Sequence, residues 1–197
     1  MHTCPVSFTT GSSMDFFTAI DTRASAIRLV EPAPTREHLM RILRAGSRAP
    51  DHGRLAPWRF VVIEGDKRGL LGDAIAESAR AEKPDLNAEQ LQRERDKAFR
   101  APVVIAVTGK INRAHKIPES DQLLAVGAAA ENIFLAAHAL GYGVMWKTGT
   151  PAFAPNVKAV LGVAPEDPIV AYLYIGTVAA PGPVKEGPPL EQLVRWL

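Results

Sequence analysis

Apolar positions along this chain switch repeatedly between helical and strand spacing, and that alternation sets the expected fold class. In "MDFFTAIDTRAS", beginning at Met14, the residues Phe16, Phe17 and Ile20 fall on one side of a predicted helix. "RLVEPAPT" is predicted extended, because Pro32 and Pro34 keep a helix from propagating through it. Thr35 is placed to cap the helix "REHLMRILRAGSRA", whose Leu39, Ile42 and Leu43 form a stripe to be buried. "WRFVVIEG" then has the character of a buried strand ended by a turn.

Beyond it, Asp66 is expected to cap a helix running to about residue 81, which "EKPD" breaks. Asn87 with Gln90 matches a capping box opening a more polar helix to about Phe99. "PVVIAVTG" is a core strand. "QLLAVGAAAENIFLAAHALG" is apolar on nearly every face, with small residues that allow close approach, and is expected to be the central buried helix. A short strand and loop, "GVMWKTG", a short helix around "VKAVLG" and a long strand "PIVAYLYIGT" follow. The closing "PPLEQLVRWL" is expected either to form a helix or to wrap onto a neighbour. Strands separated by helices, without regular βαβ alternation, predict an α+β fold with a sheet faced by helices.

Composition narrows this picture. With 197 residues, 47% of them hydrophobic, the chain can bury one full core. We therefore expect a single domain over residues 14–197, with residues 1–13 as a flexible extension and Met14 as an alternative start. Charged residues are 22% of the chain and the net charge is only +2, so no general field for nucleic acid is expected. The lone cysteine, Cys4, permits no disulfide framework and fits a reducing cytoplasm. No apolar stretch reaches the roughly 18 residues that a membrane span requires. The opening lacks the pattern of a secretory signal.

Self-sufficient chemistry is not encoded in any common motif. "GLLGDA" and "GYGVMW" lack the third glycine and the strand-to-helix setting of a dinucleotide fingerprint, and no Walker loop occurs. Histidines at 2, 38, 52, 115 and 138 show no ligand-like pairing, so no metal site is expected. A nucleophile elbow is missing as well. A borrowed cofactor is the consistent reading. The segment "RAPDHGRLAPWRF" then stands out, because it gathers two prolines, a glycine, a histidine and three arginines before a strand. Such a loop is either a simple connector or a wrap for something flat and anionic.

These pieces, taken in order, are those of a known family. "DTRASAIRLVEPAPTREHLMRILRAGSRAPDHGRLAPWRFVVIEG", "FRAPVVIAV", "HKIPESDQ", "AAHALGYGVMWKTG" and "YLYIGT" resemble an FMN-dependent nitroreductase of the compact bacterial branch, over residues 14 to 180. The resemblance implies a nitroreductase-like fold, with a central, mostly antiparallel sheet flanked by helices. It also implies a homodimer holding two FMN molecules at the subunit interface. Family members pass electrons from NADH or NADPH to nitroaromatics, quinones or related acceptors in a ping-pong cycle.

By the same resemblance, Arg23, Ala24 and Ser25 lie at the phosphate and ribityl end of the cofactor. Ala24 departs from the second basic residue common there, and Ile27 stands where some larger members carry a lysine. Arg48 and His52 match positions that reach the flavin across the dimer, while Trp146, Lys147 and Thr148 match cofactor positions, the last two suited to phosphate. Residues 136–141 match a stretch sometimes assigned to the nicotinamide donor. Arginine's planar fork and lysine's ammonium are the natural partners of a phosphate dianion.

Other residues have plainer expectations: Asp51 as a turn residue, Trp58 in packing, His138 as a hydrogen-bonded core histidine, and Asp121 as a favourable charge starting its helix. For Trp146, packing and cofactor contact weigh equally, and His115 with Lys116 is taken as a loop cap or a surface patch. Two further classes remain open on the same fold: a flavin-degrading or dehalogenating relative, and a non-catalytic flavin-storing dimer.

Overall fold

The computed structural model describes residues 14–197 of the chain; the expected extension at 1–13, with Cys4, lies outside the described residues. Six α-helices and five strands alternate in an α+β arrangement. They are α1 (Phe16–Thr22), β1 (Arg28–Val30), α2 (Arg36–Gly46), β2 (Trp58–Glu64), α3 (Lys67–Glu82), α4 (Ala88–Asp96), β3 (Val103–Gly109), α5 (Glu119–Ala139), β4 (Gly143–Lys147), α6 (Pro155–Val160) and β5 (Ile169–Ala180).

Strand β5 is the hub of the sheet. It pairs antiparallel with β3, with β4 and, through its C-terminal end, with β1, while β2 pairs antiparallel with β3. Only the single bridge between Ser25 and Val144 is parallel. Both faces of the sheet are covered, and side chains sort between them by the two-residue period of a strand. Val103, Ile105 and Val107 of β3, with Ala171, Leu173 and Ile175 of β5, pack against Leu39 and Ile42 of α2 and Ile133 and Phe134 of α5. Their neighbours Val104, Ala106, Tyr172 and Tyr174 turn to the other face, toward Leu71, Ala74 and Ile75 of α3 and Val157 of α6.

Local capping explains most helix boundaries. Asp15 caps α1, its Oδ1 accepting from the amides of Phe17 and Thr18 at 3.1 Å each. Hydrogen bonds from the Thr18 side chain and backbone hold its carboxyl below the usual carboxylate range. Thr35 caps α2 by accepting from His38 N at 3.2 Å, and Asn87 with Gln90 forms the expected capping box on α4.

Asp66 behaves differently from the expectation. It adopts helical angles and makes no side-chain cap, because the turn through Gly65, at φ 55°, already starts the helix with main-chain bonds such as Gly69 N to Asp66 O at 2.9 Å. The extended stretch after residue 27 contributes a true strand, β1, and α5 begins two residues before Asp121. At the C-terminus only a short 3-10 turn, Leu190–Gln192, forms among the described residues, so of the two expectations for this segment the helix is corrected to a largely exposed tail.

Helices α3 and α4 are held to each other by a close approach at Gly72, where a Cβ would lie 2.7 Å from the Arg95 carbonyl oxygen. That neighbour is main chain and cannot swing aside. We expect Gly72→Ala to lose about 1–3 kcal/mol of stability despite alanine's better helix propensity, read as a lower urea midpoint with unchanged slope.

His138 on α5 joins α1 to the body of the fold. Thr22 Oγ1 donates to Thr18 O at 2.6 Å, so His138 Nε2, at 2.9 Å, is the donor to that oxygen. Burial first, and the Arg23 charge second, hold this imidazole below its ordinary value of 6.5. The folded chain therefore resists protonating it, and its contribution is present above the unfolded pKa and lost as pH falls through that range. The melting temperature is expected to drop between pH 7 and pH 5, and His138→Gln, which keeps a donor, is expected to flatten that drop.

Candidate functional site

Two cavities flank the end of β4 and share Arg100 and Lys147 in their walls. The larger is an open groove of about 770 Å³ between the Ser25–Val30 segment and Met145–Lys147, with Phe99 and Arg100 at one side. Its lining mixes donors (Ser25, Arg28, Arg100, Lys147) with apolar groups (Ile27, Leu29, Met145, Trp146). The second, about 430 Å³, lies between α3–α4 and the edge formed by β4 and β5.

Of the predicted residues, Ser25, Trp146, Lys147 and Thr148 line these spaces, whereas Arg23, Ala24, Arg48 and His52 line neither. Ser25 is exposed on the groove and pinned in register by its bridge to Val144. Arg23 lies just before it, half-buried, with its guanidinium 4.9 Å above the Phe134 ring. Its Nε is 3.9 Å from Glu131 Oε1, too long for a hydrogen bond, so the guanidinium keeps its N–H donors. Ala24 is half-buried between the two and is not part of either cavity wall. Trp146 lines the groove while packing on the α5-side core. Lys147 is shared by both cavities, and Thr148 belongs to the smaller one.

Arg48 and His52 are not in this group. His52 Nδ1 is 2.8 Å from Asp121 Oδ2 near the start of α5, whereas Arg23 sits beside Glu131 and Phe134, ten and more residues further along that helix. At ~1.5 Å per residue, roughly 15 Å of helix separates the two anchor points. The loop itself is stiff: Asp51 Oδ2 accepts from Ala56 N at 2.6 Å, and Gly53 takes φ 80°. Asp51 thus has the expected turn role, and Asp121 serves as a partner for the loop rather than only as a helix-start charge. His115 Nδ1 accepts from Ile117 N at 3.1 Å, the loop cap expected of it.

Three wall residues escaped the sequence reading. Arg100, Tyr172 and Tyr174 line the smaller cavity. For the tyrosines a signal existed, since positions 172 and 174 share one face of a strand by the two-residue period. Burial raises both phenols above their ordinary value, and for Tyr174 the Arg100 charge acts in the opposite direction. Arg100 had no such signal, because it follows a polar helix and looks like surface charge. Among the described residues no three His, Cys, Asp or Glu side chains cluster as metal ligands, and no helix is long and apolar enough to cross a membrane.

This groove can hold an elongated ligand, with hydroxyl and cationic donors for an anionic group and an apolar wall for a flat one. Comparison with known proteins agrees with that geometry. The model of the Nitroreductase family matches residues 22–177. The Escherichia coli (strain K12) protein named "Putative NAD(P)H nitroreductase YdjA" is 41% identical over 164 residues, covering 83% of this chain and 88% of that relative. A 5,6-dimethylbenzimidazole synthase of Rhodospirillum rubrum is 32% identical over 162 residues, 76% of this chain and 75% of its own. Among solved structures, a nitroreductase-like protein from Bacillus cereus superposes with a TM-score of 0.82 at 22% identity, covering 96% and 99% of the two chains. A Desulfovibrio desulfuricans protein solved in complex with FMN gives 0.71 at 28% identity, covering 92% and 96%. The groove, the antiparallel sheet and these likenesses converge: the chain belongs to the nitroreductase family, an oxidoreductase family.

Proposed function

We propose that this chain is an FMN-dependent NAD(P)H oxidoreductase that works as a homodimer. The observation that carries the reading is the groove along β4, whose donors and apolar wall fit a phosphate dianion joined to a flat ring. When bound, FMN supplies two-electron chemistry between NADH or NADPH and a nitroaromatic, quinone or related acceptor, one product leaving before the second substrate enters.

The chain's own residues divide the work along the groove. Ser25 is in register with Val144, three residues before Lys147, so about 10 Å of strand separates them. Arg23 and Ser25 take the phosphate in this reading, with the guanidinium's free N–H groups and the hydroxyl as donors. Lys147 and Thr148, which the resemblance assigns to the phosphate, lie further along; in this reading they depart from that role, and the Lys147 ammonium offers positive charge near the ring end of the reduced cofactor. Trp146 presents an apolar wall and keeps water from it.

Arg48 and His52 enter from the partner subunit. Their anchor on α5, roughly 15 Å of helix away from that of Arg23, supports this. Large apolar side chains left uncovered support the dimer: Phe17 is 73% exposed, Leu124 72% and Trp196 91%. The apolar side of α1 predicted from Phe16, Phe17 and Ile20 is uncovered, with Ala19 the helix's buried residue. A second copy covering these surfaces stabilises the pair, at about 25 cal/mol per Å² of apolar area.

The purified protein is expected to be yellow, dimeric by sedimentation, and bleached anaerobically by NADH or NADPH. Arg23→Ala is expected to weaken FMN binding about tenfold or more, the usual cost of losing a charged hydrogen bond, with the circular dichroism spectrum unchanged. Unaltered FMN affinity in that variant would remove the phosphate assignment. Removing residues 188–197 is expected to shift the sedimentation profile toward monomer and to lower FMN content in parallel. The synthase reading is separated by product: a reductase returns its FMN intact after many turnovers with a nitroaromatic.

A further inference from the structure

The smaller cavity is electrostatically unbalanced. Its walls carry Lys83, Lys97, Arg100 and Lys147 against Glu82 and Glu94. Lys97 is committed to Glu94, whereas Lys83, Arg100 and Lys147 have no carboxylate within 4.0 Å among the described residues. Lys83 and Arg100, which remain once Lys147 is given to the cofactor, favour an anion in this concave space.

The floor of the cavity gives an independent indication. Tyr172 and Tyr174 project from β5, each only 3% exposed. Tyr172 donates to Pro151 O at 3.2 Å. Tyr174 has no hydrogen-bond partner among the described residues, although its ring is buried in the sheet-side core. The ring is enclosed but the hydroxyl oxygen is not fully so, which leaves the O–H reachable by a ligand. Here it opens onto the cavity that also holds Arg100. The wall chemistry therefore pairs a neutral O–H donor with a guanidinium, a combination that suits a carboxylate.

Position and size decide what brings that carboxylate. Arg100 and Lys147 are common to both cavities, so a molecule in the smaller one lies next to whatever fills the groove. A volume of about 430 Å³ suits a one- or two-ring molecule rather than a nicotinamide dinucleotide. We propose that this cavity is the acceptor subsite and that it selects small aromatic acceptors bearing a carboxylate, held by the Tyr174 hydroxyl and the Arg100 guanidinium. The proposal builds on the FMN reading above and adds the charge of the acceptor to it.

The test begins with bound FMN per chain in the wild type, measured by absorbance after denaturation; lack of FMN would defeat the cofactor reading, separately from this one. With FMN-loaded enzyme, 4-nitrobenzoate and its uncharged analogue 4-nitrobenzamide are compared as acceptors, and benzoate binding to the oxidised enzyme is measured by calorimetry. Wild type is expected to show at least a fivefold lower KM for the acid. Tyr174→Phe removes one oxygen and keeps the buried ring; it is expected to raise the KM for the acid and the benzoate Kd about tenfold, with the amide's KM within twofold. Arg100→Met is expected to abolish the preference for the acid. Equal KM values for acid and amide in the wild type, no benzoate binding, or a Tyr174→Phe effect equal on both acceptors would each overturn the proposal.

Discussion

Strand β5 is the constraint on which the rest of the structure depends. Its twelve residues hydrogen-bond to three other strands, so its register fixes theirs. Because its side chains alternate, the same strand supplies Leu173 and Ile175 to the α5-side core and Tyr172 and Tyr174 to the opposite face. A slip of one residue would exchange these sets, pushing two phenols into the dry core and two aliphatic residues into the cavity. Folding and site are therefore coupled through one strand's parity. Gly176 belongs to the same constraint, since a Cβ there would lie 2.6 Å from Pro102 Cδ and 2.9 Å from the Val30 carbonyl oxygen. The strands around β5 close in on a residue that has no side chain.

Much of this fold was legible in the residues because the relevant signals are local. Continuous apolar runs at 103–109 and 169–175 become strands buried on both faces, and the capping box at Asn87 marks α4 where expected. The pattern failed where the deciding interaction is distant in sequence. β1 is three residues long and exists only because β5 offers it a ladder 147 or more residues away. Asp66 has the right identity for a cap, but Gly65 had already set the turn. At the C-terminus, apolar spacing resembled a helix, yet the isolated protomer offers that face nothing to bury against.

The candidate site divides along the same line. Ser25, Trp146, Lys147 and Thr148 were found through short motifs and do border the two cavities. Arg100 was not found, because its meaning depends on where α4 delivers the chain. Phe99, immediately before it, lies under two guanidinium groups, with Arg68 at 5.3 Å and Arg95 at 5.5 Å from the ring centroid. Such contacts contribute about 0.5–1 kcal/mol each at exposed positions. Together with the Arg68 Nη1 bond to Ala101 O at 2.8 Å, they clamp the turn from α4 into β3 and so hold Arg100 at the junction of the cavities. Arg68 and Arg95 act on the site at one remove.

This arrangement explains why so charged a helix pair is kept. α4 is among the most polar segments of the chain and buries none of its residues, so it adds little to the core. It meets α3 through Gly72 and through the Arg95 guanidinium, whose Nε lies 2.5 Å from Asp73 Oδ1. Whereas α3 buries Leu71, Ala74 and Ile75, α4 is held mainly by exposed charge, which is weak insurance for stability because such contacts rarely exceed ~1 kcal/mol. What the pair does supply is a wall: Ile75, Ser78 and Ala79 from α3, with Glu94 and Lys97 from the α4 end, complete a cavity that β4 and β5 leave open on one side. The sheet provides a rigid floor with buried phenols, and the helices provide a charged roof. The proposed acceptor contacts are thereby split between the two layers, with Tyr174 fixed by the strand that sets the sheet's register and Arg100 delivered by the turn that leaves the roof.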